Sequence, residues 1–251
     1  MSRGVGARLA VLVAAGAFGA LGGCDGAPPA RVVRVFAAAS LSAPFTALAA
    51  EFERSHPGAT IELHFAGTPQ LVLQLREGAQ ASVFAAADEV SMQRVVAAGQ
   101  AAAAPSTFAH NRLAIVVPAD NPQAIAGLAD LVRPGLRVAL CGPEVPAGRY
   151  AREALARAGV ALHSVSDEPS VTAVVAKVQL GELDAGIVYR TDTTVGGVTA
   201  VDLDPAQGVT ATYTIVPLVT ARPPDVAAAF VAFVVSPAGQ RLLAAHGFVV
   251  P

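Results

Sequence analysis

The stretch VVRVFAAASLSAPFTALAAEFERSHPG, residues 32–58, decides the fold. It opens as an apolar, β-branched run that climbs to three alanines and reaches Ser40. A helical pattern follows at once, with apolar positions at Leu41, Phe45, Leu48 and Phe52. That spacing puts one apolar face on a helix. His56-Pro57-Gly58 then ends it, because proline cannot continue a helix and glycine accepts the left-handed turn. The same unit repeats twice. ATIELHFAG (59–67) leads into PQLVLQLREG, and SVFAAAD (82–88) leads into EVSMQRVVAAG. Strands alternating with helices predict an α/β fold on a mainly parallel sheet.

A second series begins near residue 112. RLAIVVP (112–118) precedes a short helix around IAGLADLV, and RVALCGP (137–143) precedes AGRYAREALARAG. SVTAVVAKVQLGELDAG reads as a helix and GIVYRTD as a strand end. TATYTIVPLVTA (210–221) is strand-like, and the tail reads as two helices. No Pro/Gly/Ser linker divides the two series and no solenoid-length repeat is present. Two lobes that share crossing strands, at NRLAIVVP and TIVPLVT, are therefore expected. Residues 32–112 plus 215–251 form lobe 1, and residues 113–214 form lobe 2.

The N-terminus reads as a targeting segment. Arg3 and Arg8 precede an apolar run from Leu9 to Leu21, too short for a comfortable membrane span. LGGC (21–24) resembles a bacterial lipobox, which makes residues 1–23 a signal peptide and Cys24 the lipidated first residue of the mature chain. Residues 24–31 form a tether, and Asp25 resembles an inner-membrane retention signal. Loss of the two arginines with residues 1–23 takes the formal net charge from −2 to −4. An acidic chain is a poor partner for nucleic acid. With Cys24 lipidated, Cys141 is the one thiol left, so no internal disulfide forms; it reads as a buried small hydrophobe.

Searches for enzymatic motifs fail. There is no G-x-S-x-G, S-x-x-K, P-loop or G-x-G-x-x-G, and the five histidines are scattered without metal-ligand spacing. What remains is a set of small residues where strands give way to helices. Ser40 follows VFAAA, and Thr68 follows HFAG with Pro69 behind it. GPEVPAG leads into a helix near Ala147, and DEPS leads into one near Val171. Taken singly, Ser40, Thr68 and Asp88 are helix caps, Val171 is core, and Tyr189 is a strand aromatic. Taken together, they are helix N-termini at strand ends, where free N–H groups attract anions.

The ordered pieces VFAAASL, FAGTPQLVLQLREGA, SVFAAAD, PEVPAGRYAREAL, SVTAVVAKVQLGELDAGIVYRTD and SPAGQRLLAAHGF resemble the periplasmic molybdate-binding proteins of ABC importers. The resemblance spans residues 32–250. It implies a type II periplasmic-binding fold, two α/β lobes joined by two crossing strands, with a ligand cleft between them. It also implies that a tetrahedral oxyanion is held by uncharged donors. These are the hydroxyls of Ser40, Thr68 and Tyr189 and the backbone amides at Ala147 and Val171. Where the family usually carries a serine run, this chain has Gly67-Thr68-Pro69-Gln70, which adds a methyl and removes one N–H.

The expected function is capture of molybdate or tungstate outside the cytoplasm and delivery to a membrane permease. No catalysis, cofactor or resident metal ion is expected. The chain would be a monomer, anchored to the inner membrane through Cys24. Neutral donors suit fully deprotonated anions, whereas phosphate, which keeps a proton, needs an acceptor. That specificity requires Glu144 and Asp192 to stay out of the site. The alternatives are the same fold serving another oxyanion such as sulfate, or a secreted lipoprotein or enzyme that reuses the two lobes.

Overall fold

A computed structural model describes residues 31–251. The readings of a signal peptide, a lipidated Cys24 and all of the tether but Arg31 lie outside the described residues. The first sheet is built from β1 (Arg31–Ala38), β2 (Ala59–Ala66) and β3 (Val83–Ala86), all parallel. Their crossovers are α1 (Ser42–Ser55) and α2 (Thr68–Arg76), and α3 (Glu89–Ala97) follows β3. The apolar stripe of α1 is buried as Phe45, Leu48 and Phe52, and Phe45 and Phe52 meet Phe230 at ring-centroid distances of 6.2 and 5.3 Å.

The long strand β4 (Ser106–Pro118) joins the two halves. Up to Arg112 it pairs antiparallel with β9 (Thr210–Pro217), which also pairs with β3. From Leu113 onward it pairs with β7 (Ala185–Tyr189) and with β8 (Val198–Asp202). The second half also holds β5 (Val138–Cys141) and β6 (Ser166–Glu168), parallel to one another, with β5 also parallel to β7. Its helices are α4 (Pro146–Arg157) and α5 (Val171–Gln179). The chain ends with α6 (Pro224–Val235) and α7 (Pro237–Ala245) against the first half. The strand order is β2-β1-β3-β9-β4-β7-β5-β6, with β8 on β4.

The strands that the sequence reading left out are β6, of three residues, and β8. The former follows a coil-like segment and the latter follows Gly196-Gly197, so neither carries a long periodic pattern. Cys141 is fully buried and burial raises its thiol pKa, in keeping with its reading as a small hydrophobe.

Candidate functional site

The cleft between the two halves receives helix N-termini from both. Ser40, Thr68, Ala147, Val171 and Tyr189 all line one small cavity of about 10 Å³, beside Ala38, Ala39, Gly67 and Ala87. Pockets for drug-sized ligands run to roughly 300–1,000 Å³, so this far smaller space suits a small ion better than a sugar or peptide. Neither lysine nor arginine lines it.

Each lining residue arrives by a local route. The β1 strand ends in three alanines and passes into a 3₁₀ turn, Ala39–Leu41, which places Ser40 at the cavity. Gly67 caps α2, so Thr68 is its first residue and Pro69 follows in the first turn. Pro146 opens α4 at a position that needs no N–H, and Ala147 follows. Ser170 caps α5 through its hydroxyl, 3.3 Å from the Ala173 amide, which leaves Val171 as the first helical residue. The first N–H groups of a helix have no partner within it, so all three helices present free donors here. Tyr189 ends the fully buried strand β7.

Two of the single-residue readings are corrected. Neither Ser40 nor Thr68 makes a side-chain cap. The α1 cap position falls on Leu41 and the α2 cap position on Gly67, so both hydroxyls are released from that duty. Ser40 Oγ instead lies 3.0 Å from the hydroxyl of Tyr213. Asp88 does cap α3, accepting from the Ser91 amide at 3.0 Å, but it also pairs with Arg149 of α4. It is therefore more than a cap.

The Tyr189 hydroxyl is the most telling group. The residue is 1% exposed, and its hydroxyl has no hydrogen-bond partner. A buried unsatisfied donor costs about 1–3 kcal/mol and calls for an explanation. Its ring meets that of Tyr213 edge-on, with centroids 5.6 Å apart. Burial pushes both phenol pKa values well above the ordinary value, so both tyrosines remain protonated donors at physiological pH.

Sequence reasoning missed Tyr213. Its signal was present: a tyrosine inside the apolar run TATYTIVP has to find a partner for its hydroxyl. Asn111 and Thr191 were missed too; the Asn111 side-chain amide donates to Thr191 at 2.8 Å beside this cluster.

The two carboxylates of concern stay away. The Glu144 side chain is 73% exposed and lies 3.7 Å from Arg94. Asp192 accepts from the Tyr189 amide at 3.0 Å and lines a larger neighbouring groove of about 220 Å³ with Ser42, Thr172, Thr191 and His246. Ser40 forms a shared wall between groove and cavity. Burial pushes the Asp192 carboxyl up to about 7, against the downward pull of the Tyr189 amide. A pKa raised on folding adds stability at low pH that is lost as pH rises through the folded value. Asp192→Asn should therefore melt above the wild type at pH 8, and the gap should narrow at pH 5 and close only once the pH falls below the ordinary carboxylate value. A gap that stays constant between those pH values would show that Asp192 carries no such linkage.

Among the described residues no cluster of His, Cys, Asp or Glu is arranged to hold a metal ion.

Comparison with known proteins places this architecture. The chain is 43% identical over 224 residues to the molybdate-binding protein ModA of Mycobacterium tuberculosis, covering 88% of this chain and 86% of that protein. The periplasmic molybdate-binding protein of Azotobacter vinelandii superposes with a TM-score of 0.76 at 19% identity, over 87% of this chain and 99% of that one. The sulfate-binding protein SubI of Mycobacterium tuberculosis superposes with a TM-score of 0.77 at 20% identity, over 86% of each chain. At those identities the two structures speak for the two-lobe fold alone. The profile described as bacterial extracellular solute-binding protein matches residues 33–249, and with that match the chain belongs to this family.

Proposed function

We propose that this protein captures molybdate, and tungstate with it, outside the cytoplasm and hands it to the permease of an ABC importer. The observation that carries the reading is the buried, partnerless Tyr189 hydroxyl facing a small cavity with Ser40, Thr68, Ala147 and Val171. A tetrahedral dianion gives each of these donors an acceptor. The 43% identity to a molybdate-binding protein supports the choice of anion. Lobe 1 comprises residues 32–112 and 215–251, lobe 2 comprises residues 113–214, and closure of one on the other encloses the anion.

The chemistry is binding without reaction. Helix N-termini carry about half a positive charge each, so several together balance a dianion without a fixed counter-ion. The Ser40 and Tyr213 hydroxyls are 3.0 Å apart and either can donate; with an anion in the cavity, Tyr213 donating to Ser40 Oγ leaves the Ser40 proton free for it. Phosphate is disfavoured because its remaining proton finds no carboxylate to accept it in this cavity and would have to compete for hydroxyl oxygens that otherwise donate to the anion. The basic start, the apolar run and LGGC support a signal peptide with a lipid anchor on Cys24, and hence an extracytoplasmic chain tethered to the membrane, with Asp25 favouring the inner one.

A thermal-shift panel tests the anion class. Molybdate and tungstate should each raise the melting temperature by several degrees, and phosphate should not. A site in 100-fold excess of ligand over Kd gains about 2.7 kcal/mol. A shift with sulfate alone would assign the site to sulfate, and no shift with any oxyanion would overturn the transport reading.

A further inference from the structure

A pair of side chains crosses the cleft beside the cavity. Asp88 follows Ala87, which lines the cavity, and caps α3 in lobe 1. It is 1% exposed. Its Oδ1 accepts from the Ser91 amide, and its other oxygen meets the guanidinium of Arg149, in the first turns of α4 in lobe 2. The other arm of that guanidinium donates to the Glu144 carbonyl at 2.8 Å, bracing the loop that leads into α4. Beside it, the Glu144 carboxylate lies 3.7 Å from Arg94 of α3, a second and exposed contact between α3 and the loop that leads into α4. Lobe 1 therefore grips the helix that carries Ala147 to the cavity. The exposed pair contributes little, whereas the buried one leaves a costly charge behind when it is broken.

Resting on the anion-binding reading above, we propose that Arg149 is a positioning residue that ties the Ala147-bearing helix to Asp88 across the closed cleft and thereby sets how slowly the anion leaves. The tie forms only when the lobes meet, so it acts after the anion has arrived. Its loss changes release and not capture. Lysine keeps the charge but not the two-armed geometry, so Arg149→Lys is intermediate.

Stopped-flow kinetics with molybdate test this on the full chain. Arg149→Met should speed dissociation at least tenfold, with association within about threefold of wild type. Asp88→Asn and the double variant Asp88→Asn/Arg149→Met should show the same fast release, because all three break one tie and residues in one contact are non-additive. The double variant leaves no unpaired buried charge and serves as the measurement where a single variant fails to fold. Arg152→Met is the control, since Arg152 bonds within lobe 2 to Asp167 and the Cys141 carbonyl. It should release molybdate at the wild-type rate. Dissociation from Arg149→Met at the rate of wild type or of Arg152→Met would overturn the proposal, as would effects that add in the double variant. A wild-type chain that binds no molybdate would instead remove the reading on which the proposal rests.

Discussion

Gly67→Ala is expected to lose about 100-fold in molybdate affinity, or ~2.7 kcal/mol, while its ligand-free melting temperature holds or rises slightly. Gly67 caps α2 in lobe 1 with φ −57° and ψ 136°, a conformation open to alanine. A Cβ there would run into the carbonyl oxygen of Pro169, in lobe 2. That carbonyl cannot swing away freely, because Pro169 precedes Ser170, the cap of α5. Relief comes from holding the lobes apart, which draws the Val171 amide away from Thr68. Where alanine fits the backbone, the substitution stabilises by about 0.4–1 kcal/mol through the unfolded chain. Calorimetric titration and a melting curve on this variant separate the two effects. Wild-type affinity would mean that the cleft does not close through this contact.

Tyr189→Phe is expected to weaken molybdate binding by 10- to 100-fold, matching the roughly 1.5–3 kcal/mol of a hydrogen bond to a charged group. The ligand-free protein should not suffer, and should gain stability. Its Tyr189 hydroxyl is buried with no partner, so phenylalanine removes an unsatisfied polar atom and leaves the ring against Tyr213. A core tyrosine bonded to backbone would behave oppositely, losing stability and leaving Kd unchanged. Binding and melting of this one variant therefore decide whether the hydroxyl serves the anion.

Much of this architecture was legible in the sequence because the physics behind it is local. The apolar stripe of α1 and the breaker at His56-Pro57-Gly58 depend on neighbours in the chain, and both stand in the structure. The strands β6 and β8 were not legible, because they are short and acquire strand geometry from β5 and β4 rather than from their own pattern. Local reasoning also misassigned the hydroxyls of Ser40 and Thr68 to helix caps. Cap rules see only the adjacent turn, whereas Ser40 is committed to Tyr213, far along the chain. The grouping of five positions around one anion came from resemblance to a family, and the structure brings the same five to one cavity. The pairing of Asp88 with Arg149 had no sequence signal, since it exists only when two separately formed helices meet across a cleft.

The most direct test of the account is an anomalous difference map from crystals grown with molybdate, collected at the molybdenum edge. The account predicts one strong peak in the cleft, within hydrogen-bonding distance of the hydroxyls of Ser40, Thr68 and Tyr189 and the amides of Ala147 and Val171, with no arginine, lysine or carboxylate against the anion. No peak in crystals soaked at millimolar molybdate, or a peak held by charged side chains elsewhere on the molecule, would contradict it.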